Sequence, residues 1–232
     1  MTPSLAIVTG AGQGFGLALT AALAARGTRV VATGRAADRL RAAVAGLPGV
    51  LALPGDVTDP AHRAEIVATA ERLGGLDLLV HNAGELGPSP LPTLARYPAD
   101  ALRTVLETTV VAPLALTALA LPLLRAAAAP AVVTLSSDAA VEAYPGWGGY
   151  GAAKAALDHL AAVLAVEEPD VRVWAFDPGD MRTAMHQRAF PGEDISDRPE
   201  PAVVVPALLR LLDERPASGR YRASDLLVGS VR

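Results

Sequence analysis

Three side chains in the second half of the chain have types and spacing suited to proton transfer: Ser137, Tyr150 thirteen residues later, and Lys154 four residues after that. Residues four apart share one face of a helix, so we expect the Lys154 ammonium to lie beside the Tyr150 phenol and lower its pKa. Such a tyrosine can exchange a proton with an oxygen atom near neutral pH, and a serine hydroxyl can hydrogen-bond the same oxygen. Because a Tyr-x-x-x-Lys pair also falls on many helices by chance, the rest of the chain has to support this interpretation.

The composition indicates one domain with a sizeable core. The chain has 232 residues, of which 51% are hydrophobic and 19% charged. Its net charge is −4 and it has no basic run, so nucleic acid is not an expected partner. The lack of cysteine excludes disulfides and thiolate metal sites, and no histidine spacing indicates a metal. Without a signal-peptide pattern, the sequence predicts a cytoplasmic protein.

One stretch has the composition of a membrane span. Residues 108–124 carry no charge over 17 positions, which is the lower edge of the spanning length. They include Pro113, Pro122 and three threonines. A helix buried on a sheet and against another subunit explains the pattern more simply, so no membrane association is expected.

A nucleotide site is predicted near the N-terminus. An apolar strand at 4–9 leads into a loop with Gly10, Gly14 and Gly16, and a helix follows at 17–26. This layout directs backbone N–H groups and a helix N-terminus at a pyrophosphate. The spacing differs from G-x-G-x-x-G because residue 15 is Phe, and a plain glycine-rich turn is the alternative.

The end of the second strand favours NADP over NAD. In a dinucleotide-binding fold, an acidic residue at this place bonds the ribose 2′-hydroxyl of NAD. Here the strand at 29–33 is followed by Gly34 and Arg35. Glycine leaves room for a 2′-phosphate and the guanidinium can bind it. The alternative is a solvated arginine at a strand end.

Strand and helix patterns alternate along the chain, which predicts an α/β protein: a single-domain, Rossmann-like, doubly wound parallel sheet in a three-layer α/β/α arrangement spanning residues 1–232. A long helix is expected at 99–127, kinked at Pro113. Residues 185–201 read as a loop rich in proline, glycine and acids, so a substrate lid is predicted at 184–201. The tail at 219–232 could add a short last strand near Tyr221. The predicted strands are 4–9, 29–33, 50–53, 76–80, 131–135 and 171–176, and the other helices are 36–45, 61–73, a helix running to 166, and 203–213.

Taken together, these motifs resemble the classical short-chain dehydrogenase/reductase family over nearly the whole chain. The matching pieces are TGAGQGFG at 9–16, Asp56-Val57, Asn82-Ala83-Gly84, Ser137, Tyr150-x-x-x-Lys154 and Pro178-Gly179-x-x-x-Thr183. The resemblance implies that Ser137 binds the substrate oxygen, that Tyr150 is the acid or base, and that Lys154 lowers the pKa of Tyr150 and holds the nicotinamide ribose. The cofactor-binding residues that it implies are Gly10, Gln13, Gly14, Phe15, Gly16, Arg35, Asp56, Val57, Asn82, Ala83, Gly84, Tyr150, Lys154, Pro178, Gly179, Met181 and Thr183.

Four features depart from the family pattern, and one of them is the short segment at 167–170 between the tyrosine-bearing helix and the sixth strand. Gln13 stands where many NADP-dependent members carry a basic residue. Thr109 aligns with an asparagine that helps to hold a water behind the lysine, which puts the proton relay in doubt. The C-terminus lacks the usual glycine-rich ending, so the last strand and its subunit contacts are uncertain.

The leading hypothesis is an NAD(P)-dependent oxidoreductase, preferring NADPH, that interconverts a carbonyl and a secondary alcohol. Two alternatives remain: a non-catalytic NADP-binding protein, and a sugar-nucleotide epimerase or dehydratase on a related fold. Lid residues Met185, His186 and Phe190 suggest an uncharged, partly apolar small-molecule substrate whose identity the sequence does not give. Uncharged helix faces predict a homodimer or homotetramer.

Overall fold

A parallel β-sheet forms the centre of the computed structural model, which describes residues 2–228. Its strands are β1 (Leu5–Thr9), β2 (Arg29–Gly34), β3 (Val50–Pro54), β4 (Leu78–His81), β5 (Ala131–Leu135), β6 (Arg172–Asp177) and β7 (Gly219–Arg222). Their order is β3-β2-β1-β4-β5-β6-β7, and each neighbouring pair is parallel. The order reverses between β1 and β4, and this is where sheets of this kind bind ligands.

Helices cover both faces of the sheet. They are α1 (Gly14–Ala25), α2 (Ala37–Val44), α3 (Pro60–Arg72), α4 (Ala99–Leu106), α5 (Ala112–Ala126), α6 (Gly148–Glu167), α7 (Ala184–Ala189), α8 (Pro201–Glu214) and α9 (Ala223–Val228). Side chains from α1, α2, α8 and α9 pack on one face, and side chains from α3, α5 and α6 pack on the other. All residues of β1 and β5 are buried, as expected for parallel strands covered on both sides. The predicted doubly wound, three-layer fold is therefore confirmed.

Local sequence signals account for the helix that follows β3. The Asp59 side chain accepts a hydrogen bond from the Ala61 amide at 2.9 Å, and Pro60 occupies the first helical position. The preceding turn is closed by Asp56, whose Oδ1 accepts from both the amide and the hydroxyl of Thr58 at 2.9 Å. This turn holds Asp56 at the carboxyl edge of the sheet.

The long helix predicted at 99–127 is present as the helical run Ala99–Ala126, with one local correction, a π-helical turn just before Pro113. Between α4 and α5 the chain makes a π-helical turn over Glu107–Val111. The amide of Ala112 bonds the carbonyl of Glu107, five residues back. Because Pro113 has no N–H, the α-helical pattern could not have continued through it unchanged. Turns of this kind often occur at functional sites.

The predicted loop at 185–201 contains a helix, α7, which is a second correction. The Thr183 hydroxyl starts this helix by accepting a hydrogen bond from the His186 amide at 3.1 Å. In the tail, the strand expected near Tyr221 is present as β7, and α9 follows it unpredicted. Met1 and residues 229–232 of the predicted domain lie outside the described residues.

The helical run Ala99–Ala126 is long and apolar enough to cross a membrane by length and composition, with a hydropathy of 1.7. Core helices of folded domains can pass the same test. In this fold Leu116, Ala120 and Leu124 are fully buried against the sheet. Leu114 and Leu119 point outward and are about half exposed.

Candidate active site

A cleft of about 760 Å³ opens along the carboxyl edge of the sheet at the point where the strand order reverses. It extends from the glycine loop after β1, past the ends of β2, β3 and β4, to Tyr150 and Lys154 on α6. Of the predicted cofactor-binding residues in the described chain, all but Gly16 and Gly179 line it. Ser137 is also not part of the lining. The lining residues among those predicted are Gly10, Gln13, Gly14, Phe15, Arg35, Asp56, Val57, Asn82, Ala83, Gly84, Tyr150, Lys154, Pro178, Met181 and Thr183.

The glycine loop requires glycine for two different reasons. Gly10 and Gly14 have φ angles of 66° and 56°, a region that side chains rarely adopt. Gly16 lies behind the loop, where an added Cβ would stand 2.5 Å from the carbonyl oxygen of Gly10. Gly10 and Gly14 therefore line the cleft, whereas Gly16 allows close packing of α1 on the loop, and the binding of a pyrophosphate by this loop stays a prediction.

Asn82 connects β4 to this loop. Its side-chain amide donates to the carbonyls of Thr9 at 2.9 Å and Gly10 at 3.1 Å. The Thr9 hydroxyl accepts from the amides of Asn82 and Ala83, each at 3.0 Å. These bonds fix the two strand ends on either side of the reversal point. Asn82 thus steadies the junction between β1 and β4.

Two arginines, rather than one, lie at the end of β2. Arg35 is 62% exposed and its guanidinium is 3.4 Å from the carboxylate of Glu85. Arg39, in the first turn of α2, donates to the Gln13 side-chain oxygen at 2.8 Å and also lines the cleft. The sequence reasoning missed Arg39. A signal was present, because a cation in the first turn of a helix opposes the helix dipole and calls for an explanation.

Glu85 connects the β2 end of the cleft to the proposed lid. Its second carboxylate oxygen lies 3.3 Å from the guanidinium of Arg188 on α7. Arg188 also donates to the Gly87 carbonyl at 3.0 Å, and its own carbonyl accepts from the Ser89 hydroxyl at 2.6 Å. Glu85 is 15% exposed, whereas the side chains of Arg35 and Arg188 are 62% and 50% exposed, so both ion pairs are open to water on the arginine side.

Tyr150 and Lys154 lie on one face of α6, and both are buried. The Lys154 ammonium donates to the Leu135 carbonyl at the end of β5. It lies 5.5 Å from the centre of the Tyr150 ring. Ser137 follows β5, and its hydroxyl accepts from the Ala139 amide at 3.2 Å and donates to the Asp138 carboxylate at 2.9 Å. The three predicted catalytic residues therefore meet at the carboxyl end of β5.

Burial determines the titration of this group. It raises the pKa of Tyr150, with further increases from Asp138, Asp177 and Asp180, while the Ser137 hydroxyl lowers it. Burial also lowers the pKa of Lys154 to about 8, against the carboxylates of Asp158 and Asp177. The expectation that Lys154 lowers the pKa of Tyr150 is therefore wrong for this structure. The ammonium contacts the ring face and a carbonyl, so desolvation dominates at the phenol.

Thr109 occupies the π-helical turn and is fully buried. A Cβ placed on Gly84 would lie 3.9 Å from the Thr109 hydroxyl and 3.8 Å from the Lys154 nitrogen, so both groups approach the same point. The hydroxyl also accepts from the Glu85 amide at 3.4 Å. The residue aligned with the family's asparagine thus carries a polar atom behind the lysine.

The segment after β6 carries Pro178, Gly179 and Thr183, which the family resemblance implies would hold the nicotinamide of the cofactor. Asp177 ends the strand and accepts from the Gly179 amide at 3.0 Å. Pro178, Met181 and Thr183 line the cleft. Thr183 also begins α7, so the same residue connects the cleft to that helix.

An apolar cluster lies over Tyr150. Trp147 packs edge-on against Tyr150, with ring centres 5.6 Å apart, and contacts Phe190 of the lid at 5.9 Å. Phe190 in turn packs against His186 at 4.8 Å, and the His186 ring lies 3.6 Å from the Asp180 carboxylate. The surroundings of Tyr150 are thus apolar at the lid and acidic at the rim.

The sequence matches a family model described as short chain dehydrogenase over residues 4–194. This chain belongs to the short-chain dehydrogenase family. Its relatives are named dehydrogenases and reductases, and it is accordingly an oxidoreductase enzyme.

Two curated relatives indicate how far the similarity extends. The 1-deoxy-11-beta-hydroxypentalenate dehydrogenase of Streptomyces avermitilis is 37% identical over 80% of this chain and 71% of its own length. The 2-(R)-hydroxypropyl-CoM dehydrogenase of Xanthobacter autotrophicus is 32% identical over 84% of this chain and 81% of its own. The two act, by their names, on different substrates, so the family relationship does not by itself give this chain's substrate.

Solved structures show the same fold. A short chain dehydrogenase from Shigella flexneri complexed with NADP superposes with a TM-score of 0.88, at 29% identity, covering 95% of this chain and 96% of that one. A short chain dehydrogenase from Escherichia coli complexed with NADPH gives a TM-score of 0.84 at 30% identity, over 94% of this chain and 95% of that one. The agreement extends over nearly the full length of the domain.

The lowered pKa of Lys154 predicts a pH dependence of stability. The unfolded lysine titrates near ~10.4, so between pH 8 and 10 the unfolded state holds a proton that the folded state has released. Stability contributed by this residue must therefore rise with pH in that range. We expect the free energy of unfolding of the wild type to gain about 2 kcal/mol relative to Lys154→Met between pH 8 and 10.

Urea denaturation of both proteins at the two pH values measures this difference. Because the Lys154→Met variant retains every other titrating group, it is the matched control. A wild-type curve that runs parallel to the variant's across the range would contradict the lowered pKa.

Proposed function

We propose that this enzyme uses NADP(H) to interconvert a carbonyl and a secondary alcohol, with Ser137, Tyr150 and Lys154 as its catalytic residues. The observation that carries the proposal is the position of Tyr150 and Lys154 at one end of a cleft that begins at a glycine loop and two arginines. A nicotinamide dinucleotide would supply or take up the hydride in this reaction. The chain's own residues would bind and orient the cofactor and the substrate, and they would move the proton.

The cleft has the features that a dinucleotide requires. Its volume of about 760 Å³ lies within the usual range for small-molecule sites. The loop residues Gly10 and Gly14 bring backbone close to the cleft at the N-terminus of α1, where a pyrophosphate is stabilised. Because the φ angle of Gly14 is positive, any residue with a side chain would be strained at this position. Asp56 and Val57 line the end suited to an adenine ring.

Tyr150 would donate a proton to the carbonyl oxygen in reduction and take it back in oxidation. Burial raises its pKa, so the phenol is protonated and carries the proton that reduction needs, but it is a weaker acid than a tyrosine in water. Ser137 would hydrogen-bond the same oxygen after releasing Asp138. The Lys154 ammonium and the Thr109 hydroxyl would support proton resupply, since both approach one point beside Gly84.

The preference for NADP is supported by the two arginines. Arg39 offers a second cation beside Gln13, where the sequence had indicated that part of the phosphate clamp was missing. Arg35 pairs with Glu85, and a 2′-phosphate would have to draw it from that carboxylate. A guanidinium can bind a phosphate through two parallel hydrogen bonds, which makes this exchange favourable.

The substrate is proposed to be uncharged and partly apolar. Met185, Trp147 and Phe190 pack around Tyr150, whereas Asp138 and Asp180 would repel an anionic group. The lack of cysteine fits action in a reducing cytoplasm.

Tyr150→Phe tests the catalytic assignment. The variant removes the proton donor and retains the ring, so we expect turnover of a panel of ketones with NADPH to fall by about 10²–10⁴ while cofactor binding persists. Absorbance of the nicotinamide measures turnover, and quenching of protein fluorescence measures binding. A second variant, Tyr144→Phe, removes an exposed phenol near the site and serves as the control. Turnover of Tyr150→Phe within about tenfold of the wild type would exclude the role.

Arginine variants test the cofactor preference. Each charge-assisted bond to a phosphate contributes about 1.5–3 kcal/mol, so Arg35→Ala and Arg39→Ala should each weaken NADPH binding by roughly ten- to hundredfold. NADH binding should change little, because NADH has no 2′-phosphate. Calorimetric titration at fixed salt, with Arg41→Ala on the same helix as the control, makes the comparison. Equal weakening of both cofactors would show that neither arginine reads the phosphate.

We also propose that the enzyme is a homodimer or homotetramer assembled through α5 and α6. Leu114 and Leu119 on α5 are 54% and 45% exposed, and Val166 on α6 is 82% exposed. Exposed apolar residues on one layer of a monomer indicate an interaction surface. We expect light scattering at micromolar concentration to give a multimer, and Leu114→Glu with Leu119→Glu to reduce its mass. Val203→Glu on α8, in the opposite layer, is the control; a monomeric wild type would rule the assembly out.

A further inference from the structure

The side chain of Arg220 on β7 lies next to the predicted catalytic residues and contacts three neighbouring elements, the end of β5, β6 and α6. Its Nη2 donates to the Ser137 carbonyl at 2.9 Å and to the Asp177 carboxylate at 2.8 Å. Its Nε lies 3.3 Å from both the Ser136 hydroxyl and the Asp158 carboxylate. One guanidinium therefore connects the end of β5, the end of β6 and helix α6.

The partners of Arg220 are themselves connected to the site. Asp177 uses its other oxygen to accept from the Gly179 amide at 3.0 Å, which shapes the turn where a nicotinamide is expected. Asp158 accepts from the Ser136 hydroxyl at 2.6 Å. It also follows Lys154 by one turn of α6, just as Lys154 follows Tyr150. The arginine thus contacts the backbone of one predicted catalytic residue and a charged neighbour of another.

The side chains involved are shielded from water, so their charges act strongly on one another. Asp177 and Asp158 are 5% and 14% exposed, and the Arg220 side chain is 25% exposed. The Lys154 ammonium faces Asp158 from its own helix and Asp177 from β6. The Tyr150 phenol faces Asp177 as well, together with Asp138 after β5 and Asp180 after β6.

We propose that Arg220 is a positioning residue of the active site: it holds the Ser137 backbone and the Asp177 turn in register and balances the two carboxylates next to Lys154. This inference rests on the proposed function, because it takes Ser137, Tyr150 and Lys154 as the reacting group. Without the guanidinium, Asp158 and Asp177 would act on Lys154 uncompensated and favour its charged form. The end of β5 would lose the bond at the Ser137 carbonyl, and the serine hydroxyl would be less well placed.

The chain offers a direct probe of this effect, since Lys154 is its only lysine. In protein grown with ¹³C-labelled lysine, a single Cε signal reports the titration of Lys154 by NMR, whether or not a substrate is known. In Arg220→Gln we expect the pKa of Lys154 to rise by about one unit. Arg222→Gln is the matched control, because it removes the same charge from an exposed position on the same strand and should leave the titration unchanged.

A double variant distinguishes the loss of charge from a general disturbance of the fold in Arg220→Gln. Arg220→Gln with Asp158→Asn removes one charge of each sign, and we expect its Lys154 titration to return toward that of the wild type. Identical Lys154 titrations in the wild type and Arg220→Gln would overturn the proposal. So would a shift in the double variant as large as that in the single one.

Kinetics supply the second readout. We expect kcat with NADPH to fall by about ten- to hundredfold in Arg220→Gln, with a smaller change in KM for the cofactor, since the loss is one of geometry at the reacting group. Arg222→Gln should match the wild type. A wild type without NADPH-dependent turnover would contradict the proposed function, and the Lys154 titration would then decide the role of Arg220 alone.

Discussion

An ammonium group buried next to a phenol imposes the main constraint on this structure. Lys154 is 4% exposed, and moving its charge out of water is unfavourable unless carbonyls or carboxylates compensate. The Leu135 carbonyl accepts its hydrogen bond, and the carboxylates of Asp158 and Asp177 face it from two elements. These carboxylates in turn require a cation, which Arg220 supplies from the last strand.

Because each buried charge needs a partner of opposite sign, distant parts of the sequence meet at one place in the fold. Asp158 comes from α6, Asp177 from the end of β6 and Arg220 from β7, and only the parallel sheet brings them together at its carboxyl edge. The same edge holds the glycine loop and the arginines after β2. The charged groups at one end of the cleft balance one another, whereas at the other end, among residues 2–228, the Arg39 guanidinium hydrogen-bonds only the neutral Gln13 side chain and Arg35 shares Glu85 with Arg188. The cleft is therefore polarised along its length.

Arg35, Glu85 and Arg188 form a second link, between the cleft and helix α7. The carboxylate of Glu85 lies within 3.4 Å of one guanidinium and 3.3 Å of the other. Because Glu85 directly follows the Asn82-Ala83-Gly84 turn, its position depends on the bonds that fix this turn to β1. The end of β2 and the proposed lid thus share one anchor at the centre of the sheet.

The fold class, the order of the strands and of the longer helices, and most of the residues that line the cleft could be predicted from the sequence alone. These follow from local rules: apolar runs make buried strands, glycine permits positive φ angles, and residues four apart share a helix face. Tyr150 and Lys154 could be paired for this reason alone. The family could be recognised because its motifs are short and keep their order.

The charge states and the partners of these residues depend on tertiary contacts that the sequence pattern does not show. The direction of the Tyr150 pKa depends on how completely the phenol is buried and on which carboxylates surround it, and neither is encoded by spacing. Arg39 and Arg220 contact residues on elements that are distant in the sequence but adjacent in the fold, and these contacts could not be predicted from spacing. The π-helical turn around Thr109 and the helix inside the lid likewise arise from packing and capping contacts that act on locally ambiguous segments. Periodicity indicates which face of an element is buried, whereas the electrostatics of a buried site depend on every element that packs against it.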